Sequence, residues 1–221
     1  MGPQIGKIGP VVGRRWKNRN VFSGYNPFPR DPKSDAQKMV RVRFKTINQL
    51  AARLACGINL GYGLKADNEN TTTRGLFVKD NFEWITATTI DSVSISYADL
   101  LIANGSHPGV QFGAPNFDTP QTVTVGFAPN EEIPGAALTD KVYLLVYCPD
   151  AQRAVIGQTT RGASGHSVSV TVPAYWNGMK VHLYGFTMCG ATEPTYISEL
   201  GGYVYPRMVS MSDYVGTGNV D

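Results

Sequence analysis

Charged residues are scarce in this chain of 221 residues: they make up 17% of it, against roughly 25% in an ordinary globular protein. Cysteine is scarce too, and the three cysteines (Cys56, Cys148 and Cys189) have no CxxC spacing. We therefore expect neither a disulfide framework nor a zinc site, but small buried side chains.

No apolar run approaches the ~20 residues that span a bilayer. No signal-peptide core follows the first methionine, so we expect a chain made in the cytoplasm.

Catalytic motifs are also missing. The sequence contains neither HExxH, nor a P-loop, nor GxGxxG after a predicted strand. Its three histidines, His107, His166 and His182, are far apart along the chain. Two adjacent acids, Glu131 and Glu132, lie in a loop rich in proline and glycine, with no basic residue nearby in sequence. We predict that the protein is not an enzyme, with no catalytic residues, no metal and no cofactor.

The net charge of +3 conceals a strong asymmetry between the two parts of the chain. Residues 1–65 hold 13 Lys and Arg against two acids, a net charge of +11, and residues 66–221 hold seven against 15, a net charge of −8. A basic segment joined to an acidic body suggests that the segment binds an anionic partner. Nucleic acid and the acidic body of another copy both fit.

Residues 1–33 are expected to form a basic extended arm in which aromatic and cationic side chains alternate. Val11–Trp16 and Arg19–Ser23 flank Lys17-Asn18, a spacing that predicts a β-hairpin with Asn18 at a positive φ. Prolines at positions 27, 29 and 32 require extended chain after it. The arm is too short to bury its own rings, so we expect it to bind a partner. The predicted partner-binding residues are Lys7, Arg14, Arg15, Trp16, Lys17, Arg19, Phe22, Tyr25, Phe28 and Arg30.

Residues 34–57 predict one amphipathic helix. Ser34 is the expected N-cap, with Gln37 completing a capping box, and Gly57 is the expected C-cap. One face is apolar and should be buried against the body: Val40, Phe44, Ile47, Ala51 and Leu54. The other face is mainly basic and is either simply solvated or part of a binding surface.

The rest of the chain is interpreted as mainly β. Residues 58–117 should form a β-rich middle region with a short strand at Asn59–Leu64. Arg74–Ile85 fits either a helix broken by Gly75 or a strand, and we favour the helix. Residues 118–221 predict an immunoglobulin- or fibronectin-like antiparallel β-sandwich, because strand patterns recur at roughly 8–12-residue spacing. The expected strands are Thr122–Phe127, Lys141–Cys148, Arg153–Gly157, Ser167–Val172, Met179–Met188 and Ile197–Val204. The expected core residues are Val142, Leu144, Val146, Val181, Leu183 and Phe186.

A series of short motifs runs through most of the chain. It includes Gly6-Lys7-Ile8-Gly9, Trp16-Lys17, Asn26-Pro27, Ala36-Gln37, Arg41-Val42-Arg43-Phe44, Asp140-Lys141-Val142 and Val181-His182-Leu183-Tyr184. These motifs resemble an uncharacterised family of Bacteroidetes proteins of about this length. His107 departs from the resemblance, since an apolar residue is more usual there. The family has no established activity, so the resemblance implies no catalytic residue; it implies that the arm is an integral part of the unit. A phage-associated role follows by analogy, because that bacterial group is rich in phages.

The leading hypothesis is a non-enzymatic structural subunit, most specifically an auxiliary bacteriophage virion protein associated with the capsid or head. Its arm would dock on other copies or on neighbouring virion subunits, with no membrane involved. One alternative is a surface or secreted sandwich that binds carbohydrate or a host protein through its loops. Tyr175 and Trp176 could serve as its contact platform, although we favour packing at a strand end for this pair. A second alternative is a nucleic-acid-binding protein that uses the arm and the helix.

Overall fold

A computed structural model of the chain describes residues 5–17, 19–28, 34–197 and 202–220. The chain divides into two compact units, Met1–Lys38 and Met39–Asp221. No helix in the described ranges is long and apolar enough to cross a bilayer.

The N-terminal unit contains a three-stranded antiparallel sheet of β1 (Gly6–Ile8), β2 (Val11–Trp16) and β3 (Arg19–Gly24). The predicted hairpin is confirmed, because Trp16 pairs with Arg19 across a two-residue turn. Lys17 adopts a left-handed φ of 51° in that turn, whereas Asn18 lies outside the described residues. The first turn is Gly9-Pro10, where Gly9 has a φ of 58°. A two-residue hairpin turn with a positive φ at its first position favours glycine.

Helix α1 (Asp35–Arg53) begins where the sequence predicts. The Ser34 hydroxyl accepts a hydrogen bond from the Gln37 amide at 3.4 Å, which confirms the N-cap. The expected C-cap at Gly57 is wrong, because Gly57 lies inside α2 (Ala55–Gly61). A Cβ on Gly57 would stand 2.3 Å from Leu145 Cδ1. This glycine therefore serves a close approach between helix and sheet, and does not end a helix.

Two more helices follow, α3 (Gly63–Asn68) and α4 (Thr73–Asn81). The strand expected at Asn59–Leu64 is therefore wrong. The helix favoured over Arg74–Ile85 is confirmed up to Asn81, whereas Ile85 already begins a strand. A 3₁₀ turn (Phe82–Trp84) leads into a small sheet of β4 (Ile85–Ala87) and β5 (Val93–Ile95). The first part of the predicted β-rich region is thus helical, and its buried side chains Ile58 and Tyr62 have helical i, i+4 spacing.

An antiparallel β-sandwich completes the second unit, as predicted. One sheet has the order β10-β7-β6 and the other has the order β14-β11-β8-β9. The strands are β6 (Gln111–Thr119), β7 (Thr122–Ala128), β8 (Lys141–Cys148), β9 (Arg153–Thr160), β10 (Ser167–Thr171), β11 (Lys180–Met188) and β14 (Asp213–Asn219). This pairing of three strands with four is an immunoglobulin- and fibronectin-like arrangement.

The limits of the sandwich differ from the expected ones. It begins at Gln111, and its last strand, β14, was not predicted. The expected strand Ile197–Val204 falls partly outside the described residues, at positions 198–201. Its described ends belong to two short antiparallel strands, β12 (Thr195–Ile197) and β13 (Gly202–Val204), which form a sheet of their own, so the prediction of a single strand is wrong.

The central strands β8 and β11 are buried on both faces. Towards the other sheet they present Leu144, Val146, Val181 and Leu183. Towards the helices they present Tyr143, Leu145, Tyr184 and Phe186. All six predicted core residues are therefore buried, but Phe186 packs on the helical side. Two buried faces explain why Lys141–Cys148 lacks the polar alternation of a half-exposed strand.

The apolar face of α1 is only partly as predicted. Ile47, Ala51 and Leu54 are buried, but Val40 and Phe44 are exposed, so their predicted burial is wrong. Arg43 is turned inward in this half of the helix. Its guanidinium donates hydrogen bonds to the carbonyls of Ile85 (2.5 Å) and Phe82 (3.0 Å). It also lies 4.4 Å from the Phe82 ring centroid. The aliphatic part of an arginine side chain can pack against apolar groups while its guanidinium donates to backbone carbonyls. A search for periodic apolar residues does not detect such an inward-facing arginine.

Candidate interaction surface on the N-terminal sheet

The register of the N-terminal sheet sorts its side chains onto two faces, because neighbouring residues of a strand point to opposite sides. Lys7 pairs with Val12, and Val12 pairs with Ser23. Arg14 pairs with Val21, and Trp16 with Arg19. These seven residues, together with Tyr25, whose ring contacts Lys7, define what we call the basic face: Lys7, Val12, Arg14, Trp16, Arg19, Val21, Ser23 and Tyr25. The opposite face is more apolar and comprises Ile8, Val11, Gly13, Arg15, Asn20 and Phe22.

Aromatic rings and cations touch one another on the basic face. The Lys7 ammonium lies 3.8 Å from the centroid of the Tyr25 ring. The Lys17 ammonium lies 5.7 Å from the Trp16 ring. Tyr25 is held beside the first turn, since its amide donates to the Pro10 carbonyl at 2.7 Å. Contacts of this kind keep a cation next to a flat apolar surface that remains available to a partner.

The large side chains of this sheet are exposed to an unusual degree. The exposed fractions are 47% for Trp16, 54% for Phe22, 43% for Tyr25 and 85% for Phe28. Ile5 and Ile8 are also exposed. These side chains lie on both faces of the sheet and beside it, and so many exposed apolar groups on one small unit mark it as an interaction surface.

The structure brings together part of the predicted partner-binding set. Lys7, Arg14, Trp16, Arg19 and Tyr25 share the basic face. Arg15 and Phe22 lie on the opposite face, and Lys17 lies in the turn. Phe28 follows the sheet, where its amide donates to the Asn26 side chain at 3.1 Å. Arg30 lies outside the described residues.

The electrostatics of the sheet are one-sided. Residues 1–30 contain no Asp or Glu. Over the described ranges, no salt bridge involves Lys7, Arg14, Arg15 or Arg19. Exposed cations without a nearby acid favour an anionic partner, and salt should weaken that attraction.

A buried polar cluster, which the sequence did not reveal, lies at one end of the sandwich. Asp140 Oδ2 is 2.9 Å from His107 Nε2 and 3.2 Å from Arg161 Nη2, and all three side chains are buried. The Arg161 guanidinium also donates to the carbonyls of Pro108 (2.7 Å) and Pro129. These residues flank different strands, so the cluster ties several loops together. Its members are too far apart in sequence to form a recognisable motif.

The charge state of Asp140 follows from its surroundings. Burial by itself opposes ionisation, but hydrogen bonds from His107 and from the amides of Ala137 and Gly190 outweigh it, so the pKa of Asp140 is below its usual value. The carboxylate is therefore the anion of a buried ion pair with Arg161.

Three of the buried groups resemble a metal-ligand set. His107, Asp140 and Cys189 place ligand atoms within 4.8 Å of one another. The Arg161 guanidinium beside the same carboxylate would repel a cation. Burial also raises the pKa of the Cys189 thiol, which opposes formation of the thiolate that a metal ion would bind. This donor set does not fit a metal ion and instead acts as a structural staple. Cys148 and Cys189 are buried as expected, whereas Cys56 is exposed.

A second buried histidine is also structural. The His182 ring stacks on Tyr97 at 4.3 Å between centroids, and its Nδ1 lies 2.8 Å from the Tyr214 hydroxyl. Burial lowers the pKa of His182 to about 4, so the ring is neutral near pH 7.

The aromatic pair considered for carbohydrate binding does not form a platform. Tyr175 is exposed, but Trp176 is fully buried in the sandwich core. The burial of Trp176 confirms the strand-end packing that we favoured for this pair, and only Tyr175 of the two is accessible to a ligand.

Fold and surface together define a fibronectin-like β-sandwich protein with a basic, aromatic N-terminal sheet. The chain belongs to a family of unknown function, DUF6266, whose model matches residues 3–196. The match includes both the N-terminal sheet and most of the sandwich, and it confirms the resemblance to an uncharacterised family. No curated protein and no solved structure matches the chain. The Bacteroidetes source and the phage association stay predictions.

Proposed function

We propose that this protein is a non-enzymatic assembly subunit that docks through its N-terminal sheet on other copies of itself or on neighbouring subunits. One observation carries the proposal: Trp16 and Tyr25 share an exposed face with Lys7, Arg14 and Arg19. Protein interfaces are enriched in aromatic residues and arginine. They also bury a few such side chains as the main source of binding energy.

Physical chemistry supports a partner for this sheet. Burying one large apolar side chain contributes roughly 1.5–3 kcal/mol, and the sheet leaves several such side chains in water. Small sheets need a packed apolar face to be stable. A partner surface would supply that face, and an acidic partner would also pair the unmatched cations.

The most specific form of the proposal is an auxiliary subunit of a bacteriophage virion, associated with its capsid or head. The support for that setting is the resemblance of the arm and helix start to Bacteroidetes proteins, together with a sheet suited to docking. The virion would then be the place where the protein acts.

Single-stranded nucleic acid is a second candidate partner. Trp16 and Tyr25 offer rings on which bases stack, and Arg14, Arg19 and Lys7 on the same face would follow phosphates. An acidic protein surface satisfies the same groups and also accounts for the −8 charge of residues 66–221, so we place nucleic acid second.

A double charge reversal tests the proposal. Arg14→Glu/Arg19→Glu should weaken assembly of nuclease-treated protein by roughly 100-fold in sedimentation velocity. The matched control, Lys79→Glu/Lys180→Glu, makes the same charge change at exposed cations of the second unit and should leave assembly intact. Normal assembly of the first variant would refute the docking role. Dissolution of the wild-type complex by nuclease alone would favour nucleic acid.

A further inference from the structure

A small hollow in the second unit has the chemistry to receive the N-terminal sheet. It has a volume of about 300 Å³ and lies between the loop at residues 131–137 and the segments around Cys189 and Ile197. Apolar groups, among them Ile133, Ala136 and Val204, form much of its wall. The volume is at the bottom of the roughly 300–1,000 Å³ typical of small-molecule sites. It suits one or two protein side chains better than a cofactor.

The floor of the hollow is held rigid by the buried cluster. Asp140 accepts hydrogen bonds from the amide of Ala137 (2.9 Å), in the loop at residues 131–137, and from the amide of Gly190 (3.1 Å), which lies between the lining residues Cys189 and Ala191. A Cβ on Gly190 would stand 2.1 Å from the Thr139 carbonyl oxygen, so the two segments are in direct backbone contact. Both walls are therefore fixed before a partner arrives, and a preformed site loses little entropy on binding.

The rim of the hollow is acidic. Glu131 and Glu132 are adjacent and exposed, and within the described part of the chain neither forms a salt bridge. Ile133 and Leu138, close to them in sequence, are exposed apolar residues. Within that part of the chain the rim therefore carries acids without salt-bridge partners next to exposed apolar side chains. The basic face carries cations that lack salt-bridge partners in the same ranges, next to exposed aromatic rings, so the two surfaces are complementary in charge.

A larger hollow of the same unit is a poorer match. It has a volume of about 520 Å³, and its lining includes one cation, Lys65, and one acid, Glu69. Such a lining has no net charge with which to attract a basic partner. Charge complementarity therefore favours the smaller hollow.

We infer that the hollow rimmed by Glu131 and Glu132 is the docking site for the N-terminal sheet of a second copy of this chain. An aromatic ring of that sheet would enter the hollow, and the cations around it would pair with the two glutamates. This inference rests on the proposed function and specifies the surface that the sheet binds.

Charge-reversed variants test the inference in the full-length protein. Glu131→Lys/Glu132→Lys should weaken self-assembly by roughly 100-fold, about as much as Arg14→Glu/Arg19→Glu. The control Glu83→Lys/Asp91→Lys makes the same charge change at exposed acids elsewhere in the unit and should assemble normally. Circular dichroism and thermal unfolding would establish that all variants are folded.

Mixing the two defective variants distinguishes docking between copies from docking within one chain. Glu131→Lys/Glu132→Lys, here the glutamate variant, keeps an intact N-terminal sheet. Arg14→Glu/Arg19→Glu, here the arginine variant, keeps an intact hollow. Equimolar mixing should therefore restore one contact and give complexes that contain both variants, seen by sedimentation with one variant fluorescently labelled. Absence of mixed complexes would overturn the inference.

The outcomes also separate the two proposals. If only the arginine variant loses assembly, the sheet docks elsewhere: the hollow is not its receptor, and the proposed function stands. If neither variant loses assembly, both proposals fail. If the wild-type chain is monomeric at all concentrations, the inference fails and the proposed function is restricted to docking on neighbouring subunits.

Discussion

Trp16 and Arg19 are direct partners in the register of β2 and β3, so their side chains project from the same exposed face of the N-terminal sheet. Within the described ranges Arg19 forms no salt bridge, and the Trp16 indole is half exposed. Both side chains are therefore available to a partner. Trp and Arg are the residue types that most often dominate binding energies. This pair is therefore the expected centre of the interface.

Trp16→Ala should weaken assembly by about 2 kcal/mol or more if this ring is buried by the partner. Tyr175→Ala, which removes an exposed aromatic ring from the second unit, should have no effect on assembly. Sedimentation equilibrium over a range of concentrations gives both dissociation constants. Equal effects of the two substitutions would contradict a specific role for Trp16.

Phe44 and Ile47 lie one turn apart on α1 but in opposite environments. Ile47 is fully buried, so Ile47→Ala should lower the free energy of unfolding by about 2–5 kcal/mol. Phe44 is 54% exposed, so Phe44→Ala should cost less than about 1 kcal/mol. Urea unfolding of the two variants measures the difference. A large loss for Phe44 would indicate that the face originally expected is the buried one.

Arg161 should be far more important for stability than its exposed counterpart Arg207. Arg161→Met leaves the buried Asp140 carboxylate without its cation and should cost about 3–5 kcal/mol. Arg207 pairs with Asp67 at 3.5 Å in solvent, so Arg207→Met should cost less than about 1 kcal/mol. The comparison uses urea unfolding at neutral pH, and similar costs would refute the stapling role of the buried cluster.

His182 should make the protein less stable in mild acid. Its pKa in the folded chain is about 4, whereas an unfolded histidine titrates near about 6.5. The unfolded state therefore binds the proton first, and stability falls as the pH drops from about 6.5 towards about 4. His182→Gln should reduce this dependence, measured as the unfolding free energy at several pH values. An unchanged pH dependence in this variant would contradict the buried, neutral ring.

The sequence predicted the elements whose signals are local. The N-terminal hairpin, the Ser34 cap and the apolar strand Lys141–Cys148 all follow from a few adjacent residues, and all are confirmed. Gly57 was misread because a glycine required for close packing against Leu145 looks the same in sequence as one that ends a helix. The position of Arg43 depends on distant carbonyls, which no local pattern contains.

The candidate surface was partly predictable for the same reason. Alternation within β2 and β3 places Arg14, Trp16 and Arg19 on one face once the hairpin is recognised. The acidic hollow was not predictable beyond the Glu131-Glu132 pair. Its walls come from segments more than 50 residues apart, which only the sandwich brings together.

Deletion of residues 2–33 tests the central claim most directly. The second unit begins at Met39 and contains its own core, so the shortened chain should remain folded by circular dichroism. In sedimentation velocity the nuclease-treated full-length chain should assemble, less strongly at high salt, and the shortened chain should sediment as a monomer. Assembly of the shortened chain to the same extent as the full-length chain would contradict the account.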